Sequence, residues 1–153
     1  MLNRTAISGS QAALAATVII ALLPLVLAGI SQWAALGRMD AELGLRVGVT
    51  YAAVVLSFLG GARCGLAIHR RSLRDAPHEC AAGVATILAA FLSLMLPALA
   101  CICLQVAAFM LLGLWDILGA QRGYLPEWYG RLRNLVTPVA VLSLMAMLVR
   151  MAL

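Results

Sequence analysis

Lysine is absent from this chain of 153 residues, and charge of either sign is scarce: 11% of residues are charged, against about 25% in an ordinary soluble domain. So few charges cannot cover a folded core in water, and the apolar surface must face lipid. All 11 basic residues are arginine and the net charge is +5. They lie in the gaps between apolar runs instead of clustering on one solvated face, so nucleic-acid binding is not expected. Histidine is limited to His69 and His78, both in one loop, so a haem held between histidines on two helices would lack ligands. His69, His78, Glu79 and Cys80 fit no compact metal spacing and read as solvated loop residues. Cys101 and Cys103 stand two residues apart and point to nearly opposite faces of a helix, and the four cysteines form no disulfide framework. Three lie in apolar runs, where cysteine packs as a small hydrophobe. A glycine-rich phosphate loop, a nucleophile elbow and an intramembrane carboxylate pair are all missing. No enzyme, cofactor or metal is expected.

What is there is apolar length, with 64% of residues hydrophobic. A bilayer core of about 30 Å takes about 20 apolar residues as a helix, and runs of that kind occupy 11–36 and 45–68. The stretch 80–119 carries no charge except Asp116. As one helix it would reach about 60 Å, so it must fold back. Pro97 is its strong breaker, giving spans at 79–96 and 98–119 joined by a very tight turn. The last run reaches spanning length over 131–151 if Arg133 and Arg150 snorkel to opposite interfaces. The expected fold is an all-α bundle of five transmembrane helices, with residues 1–10 a cytoplasmic segment and 11–153 a single domain.

Five spans put the termini on opposite sides. Arg4, Arg70, Arg71, Arg74, Arg122, Arg131 and Arg133 fall on one side, and Arg38, Arg46 and Arg150 on the other. The positive-inside rule then makes the amino terminus cytoplasmic and the carboxyl terminus external. Aromatics are few, at 6%, and fall towards the interfaces: Trp33 and Tyr51 near the outer one, Trp115, Tyr124, Trp128 and Tyr129 near the inner one. The first apolar run continues to Leu36, past the length of a signal-peptide core, so it is expected to be retained. It also lacks the character of a transit peptide, which favours a bacterial plasma membrane over a mitochondrial inner membrane.

Arg63 and Asp116 are the charges that fall inside spans, and such groups are functional candidates by default. Each lies about 9–10 Å along its helix from an inner arginine, which suggests an ion pair between spans two and four. A static clamp is the simplest use of that pair; independent snorkelling and a substrate or proton path are alternatives. Gln105 shares a face of span four with Asp116, so a polar stripe climbs that helix, although an interhelical hydrogen bond explains Gln105 equally well. In span two Ser57, Gly61 and Gly65 recur every four residues beside Gly60, a small-residue pattern for close helix packing, expected within the chain. The stripe and Arg63 face opposite ways, which makes span two the central helix. Pro24 and Pro138 are expected to bend spans one and five.

Tyr51, the run Ser57-Phe58-Leu59-Gly60-Gly61 with Arg63 and Gly65, Asp116 closing a later span, and Pro126, Trp128, Tyr129, Leu132, Arg133 and Thr137 together resemble a known pattern. It is that of the small membrane-protein family designated domain of unknown function 3429, which includes transmembrane protein 69-like proteins. The resemblance covers roughly 45–140. It departs at Cys64, where a Trp is expected after the arginine. The resemblance implies one multi-span domain in a bacterial plasma or mitochondrial membrane, with no assigned activity, cofactor or catalytic residues. It draws Arg63, Asp116, Trp128, Tyr129, Arg133 and Thr137 into one expected inner-leaflet cluster, with the Trp128 to Arg133 segment lying along the interface before span five. The expected function is that of a non-enzymatic accessory or assembly factor for a larger membrane complex, with self-association left open. The alternative is a small transporter or proton-coupled channel using Arg63, Asp116 and Gln105.

Overall fold

A computed structural model describes residues 9–34, 38–69, 76–121, 125 and 127–152. Arg4, Arg70, Arg71, Arg74, Arg122, Tyr124 and Pro126 lie outside the described residues, as do the side chains of Arg38, His69 and Trp128. The described chain forms α1 (Gly9–Ala34), α2 (Arg38–His69), α3 (Ala76–Ser93), α4 (Ala98–Gln121) and α5 (Glu127–Ala152). Four of them carry stretches long and apolar enough to cross a membrane: Ala16–Ala34, Ala41–Leu66, Ala98–Gln121 and Tyr129–Ala152. The apolar stretch of α3, Pro77–Ser93, is shorter.

Pro97 shapes the reversal between α3 and α4. It has no N–H to extend α3, and the last turn of that helix tightens instead, with Leu94, Met95 and Leu96 donating to the carbonyls of Phe91, Leu92 and Ser93. The Pro97 carbonyl then accepts from the Cys101 amide at 2.9 Å and opens α4. The other end of α4 closes where the Leu125 amide reaches the Gly119 carbonyl at 3.2 Å and the Leu125 side chain buries against Gly119.

Each helix packs on its neighbour in sequence, and α5 returns to α1, so the five close into a ring. Helix α2 touches all four others and leans to the interior. The reason lies in its small residues. Gly60 of α2 meets Gly83 of α3 so closely that a Cβ on Gly60 would stand 2.6 Å from the Gly83 carbonyl oxygen, an approach of the kind that drives helix association in lipid. The expectation that Gly61 and Gly65 also pack within the chain is not met: both have nothing within 4 Å of a Cβ placed there. Gly60 and Gly61 stand 100° apart around the helix, so one can line the α3 seam while the other faces outward.

Several polar groups are buried inside the bundle while large apolar side chains face outward. Gln32, Arg63, Ser93, Gln105, Asp116, Arg133, Thr137 and Ser143 are buried, whereas Phe58, Leu111 and Leu142 are 68%, 69% and 67% exposed. Water would reverse that distribution; lipid accepts it. A core of Leu25, Leu56, Ile102, Phe109, Leu144 and Met147 fills the interior. Tyr51 lies well inside its apolar stretch, and its hydroxyl donates to the Ala21 carbonyl at 2.6 Å. That carbonyl is next to the one that Pro24 leaves without an amide partner.

Candidate functional site

A chain of ion pairs joins four helices near one end of the bundle. Arg63 on α2 donates through Nε to Glu79 Oε2 on α3 at 2.9 Å, and its Nη2 reaches the same oxygen. Its Nη1 donates to Asp116 Oδ1 on α4. Asp116 Oδ2 accepts in turn from Arg133 Nε on α5 at 2.7 Å. The side chains of Arg63, Asp116 and Arg133 are 6%, 5% and 2% exposed, and that of Glu79 is 16% exposed. Two guanidinium groups and two carboxylates alternate, so the chain is neutral as a whole. Such pairing is what makes buried charge tolerable in a low-dielectric interior.

Two aromatic residues close the chain. The Trp115 ring centroid lies 5.4 Å from Arg63 Cζ, within cation–π range. Its indole N–H points to Glu79 Oε1 at 3.5 Å, while half of the residue is exposed. The Tyr129 phenol stands close to Asp116, with both arginines nearby. Thr137, one turn beyond Arg133, buries against α4, where a Cβ on Gly113 would stand 2.6 Å from its Oγ1. Glycine at 113 thus brings α4 and α5 close enough for Asp116 to reach Arg133.

Several expectations need correction. Arg133 does not snorkel; it is buried, because Asp116 holds it inside the bundle. The segment from Trp128 to Arg133 is no separate interfacial piece but the opening turns of α5, which runs unbroken through Pro138. Glu79 is not a solvated loop residue: it stands in the first turn of α3, facing Arg63. Gln105 belongs to another site. Its Nε2 donates to the Val49 carbonyl at 2.9 Å and to Ser93 Oγ at 3.1 Å, tying α4 to α2 and α3. Phe109 and Leu112, both buried, lie between it and Asp116 on the shared face, so the polar stripe is interrupted.

Sequence reasoning missed Glu79 and Trp115 as members of the chain. Glu79 sits beside His78 and Cys80 at the edge of an apolar run and so resembles loop, and Trp115 resembles an interface anchor. The depth match that pairs Arg63 with Asp116 applies almost as well to Glu79, and extending α3 by one turn towards its amino terminus is the signal that brings Glu79 to the same level.

Chemically the arrangement clamps. Each carboxylate is already held by a guanidinium, and no hydroxyl or thiol nucleophile stands beside a free base among its described residues. Among the described residues no three His, Cys, Asp or Glu side chains gather as a metal site. Comparison with curated proteins and with solved structures finds no match for the chain. A family model does match, over residues 10–149, which takes in all four ion-paired residues, and the chain therefore belongs to the family described as Protein of unknown function (DUF3429).

Proposed function

We propose that this protein is a non-enzymatic accessory or assembly factor for a larger membrane complex, and that the outward face of α2 receives a helix of the partner. The observation that carries this reading is the open pair Gly61 and Gly65, where a Cβ at either position would meet nothing within 4 Å. Small residues spaced by one turn let another backbone approach closely, and in lipid that approach is a main source of helix association. Ser57 extends the same row.

Two features support a binding role over transport. The intramembrane charges neutralise one another in the Glu79, Arg63, Asp116 and Arg133 chain, and apolar side chains separate that chain from Gln105. A carrier needs polar groups along a continuous route. The working topology keeps five spans on apolar length, a cytoplasmic amino terminus on the arginine distribution, and a bacterial plasma membrane because the first span lacks transit-peptide character.

The test is affinity purification of the tagged protein from native membranes in mild detergent, followed by native mass spectrometry, beside Gly61→Leu and Gly65→Leu. We expect a stoichiometric partner in the parent that both variants lose while remaining folded. Recovery of a lone monomer or homo-oligomer would overturn the accessory reading, and solute flux in proteoliposomes would then test the carrier.

A further inference from the structure

The seam between α2 and α3 holds a second reactive feature, one residue beyond the Arg63 to Glu79 pair on each helix. Cys64 and Cys80 bring their sulfurs to 2.9 Å, and Cys64 Sγ also lies 3.2 Å from the Cys80 carbonyl oxygen. Both cysteines are free and only partly buried. A disulfide needs an S–S distance of about 2.05 Å, so closure shortens the gap by about 0.9 Å. The backbones are already drawn together by Gly60 and Gly83, and a Cβ on Gly83 would stand 2.9 Å from Cys64 Sγ. Arg63 and Glu79 fix the register of the same two helices. Two thiols held in contact on adjacent rigid elements are arranged for mutual reaction in preference to reaction with separate partners.

We infer that Cys64 and Cys80 are a redox-active dithiol that closes reversibly into an α2–α3 disulfide by exchange with a small aqueous disulfide. The thiolate of one cysteine attacks a sulfur of the oxidant, forming a mixed disulfide and releasing one oxidant thiolate. The second cysteine thiolate attacks the protein sulfur of that mixed disulfide and displaces the other oxidant thiolate. Two protons leave the protein, two electrons pass to the oxidant, and one S–S bond has moved from oxidant to protein. Both cysteines lie towards the same end of their apolar stretches, Cys64 near Leu66 and Cys80 near Pro77, and both are only partly buried, so a water-soluble oxidant would approach them from that end. The closed bridge holds Glu79 against Arg63 and fixes α3, the shortest helix, to the central one.

The test treats the intact protein, in membranes and in mild detergent, with glutathione disulfide, then blocks free thiols with N-ethylmaleimide and maps the products by peptide mass spectrometry. We expect a Cys64–Cys80 linked peptide, reversed by dithiothreitol, with no glutathione retained at either cysteine. In Cys64→Ser the linked peptide disappears and Cys80 carries glutathione instead. The inference is overturned if folded protein yields only mixed disulfides or unmodified thiols, if linkage appears only after denaturation, or if metal analysis finds the pair occupied by a stoichiometric soft metal that blocks oxidation.

Discussion

Asp116 is shared by two arginines, and the consequences of losing it are unequal. Arg63 retains Glu79, whereas the one hydrogen bond of the Arg133 guanidinium to a carboxylate goes to Asp116; its Nη1 and Nη2 are buried with no hydrogen-bond partner among the described residues. Removing one member of a buried pair costs about 3–5 kcal/mol when it leaves a stranded charge. Glu79 lies at the more exposed end, and its loss leaves Arg63 on Asp116. Asp116→Asn is therefore expected to destabilise by about 3–5 kcal/mol and Glu79→Gln by about 1–2 kcal/mol, measured as unfolding in mild detergent. Equal losses would show that the two carboxylates contribute alike and that the chain has no weaker end.

The same geometry decides how charge exchange behaves. If Arg63 and Asp116 were an isolated pair, swapping them would restore folding. In the four-membered chain the swap sets an aspartate against Glu79 and an arginine against Arg133, two like-charge contacts in a low-dielectric interior. Arg63→Asp with Asp116→Arg is thus expected to remain as unstable as either single reversal. Inverting all four signs should recover part of the folded yield by size-exclusion chromatography, and rescue by the double swap alone would count against the network.

At the scale of elements, the α2–α3 seam rests on backbone contact. A Cβ on Gly60 would meet the Gly83 carbonyl oxygen, which cannot move without shifting α3, whereas one on Gly61 meets nothing. Overpacking of this kind costs about 1–3 kcal/mol, partly offset by the better helix propensity of alanine. Gly60→Ala should lower the thermal midpoint in detergent, and Gly61→Ala should leave it unchanged or raise it slightly. A reversed order would mean that the two glycines have exchanged faces. Sequence reading could not separate them: in lipid both the packed and the exposed faces of a helix are apolar, so periodicity no longer marks which side is inside.

At the scale of the whole molecule, α3 is the shortest of the expected crossings. Its apolar stretch, Pro77–Ser93, reaches about 26 Å at 1.5 Å per residue, somewhat less than a bilayer core of about 30 Å. A short span is accommodated by local thinning or by snorkelling of its flanks at modest cost. Because α4 returns from the Pro97 turn to the level of Arg63 and Glu79, an α3 that stops within the bilayer makes α3 and α4 a re-entrant hairpin, and with α1, α2 and α5 crossing the termini lie on opposite sides in either case. In a bacterial host, fusion of alkaline phosphatase to the carboxyl terminus should be active and fusion of green fluorescent protein there dark, since the arginine distribution favours five spans with an external carboxyl terminus. The opposite pattern, with a cytoplasmic amino terminus, would overturn the external carboxyl terminus and with it the antiparallel order of the helices.

The sequence by itself determined the solvent, the all-helical class and the reversal at Pro97, because composition, apolar length and a missing amide act locally. It also singled out Arg63 and Asp116, since charge inside an apolar run is conspicuous whatever surrounds it. Only the tertiary structure decided that Glu79 and Arg133 complete their chain, that Gln105 stands apart, that Gly60 packs while Gly61 does not, and that Cys64 meets Cys80. Each of these depends on the rotation and register of one helix against another. Those are fixed by where backbones can approach, at Gly60 and Gly83 and at Gly113 and Thr137, and not by any property of a single segment.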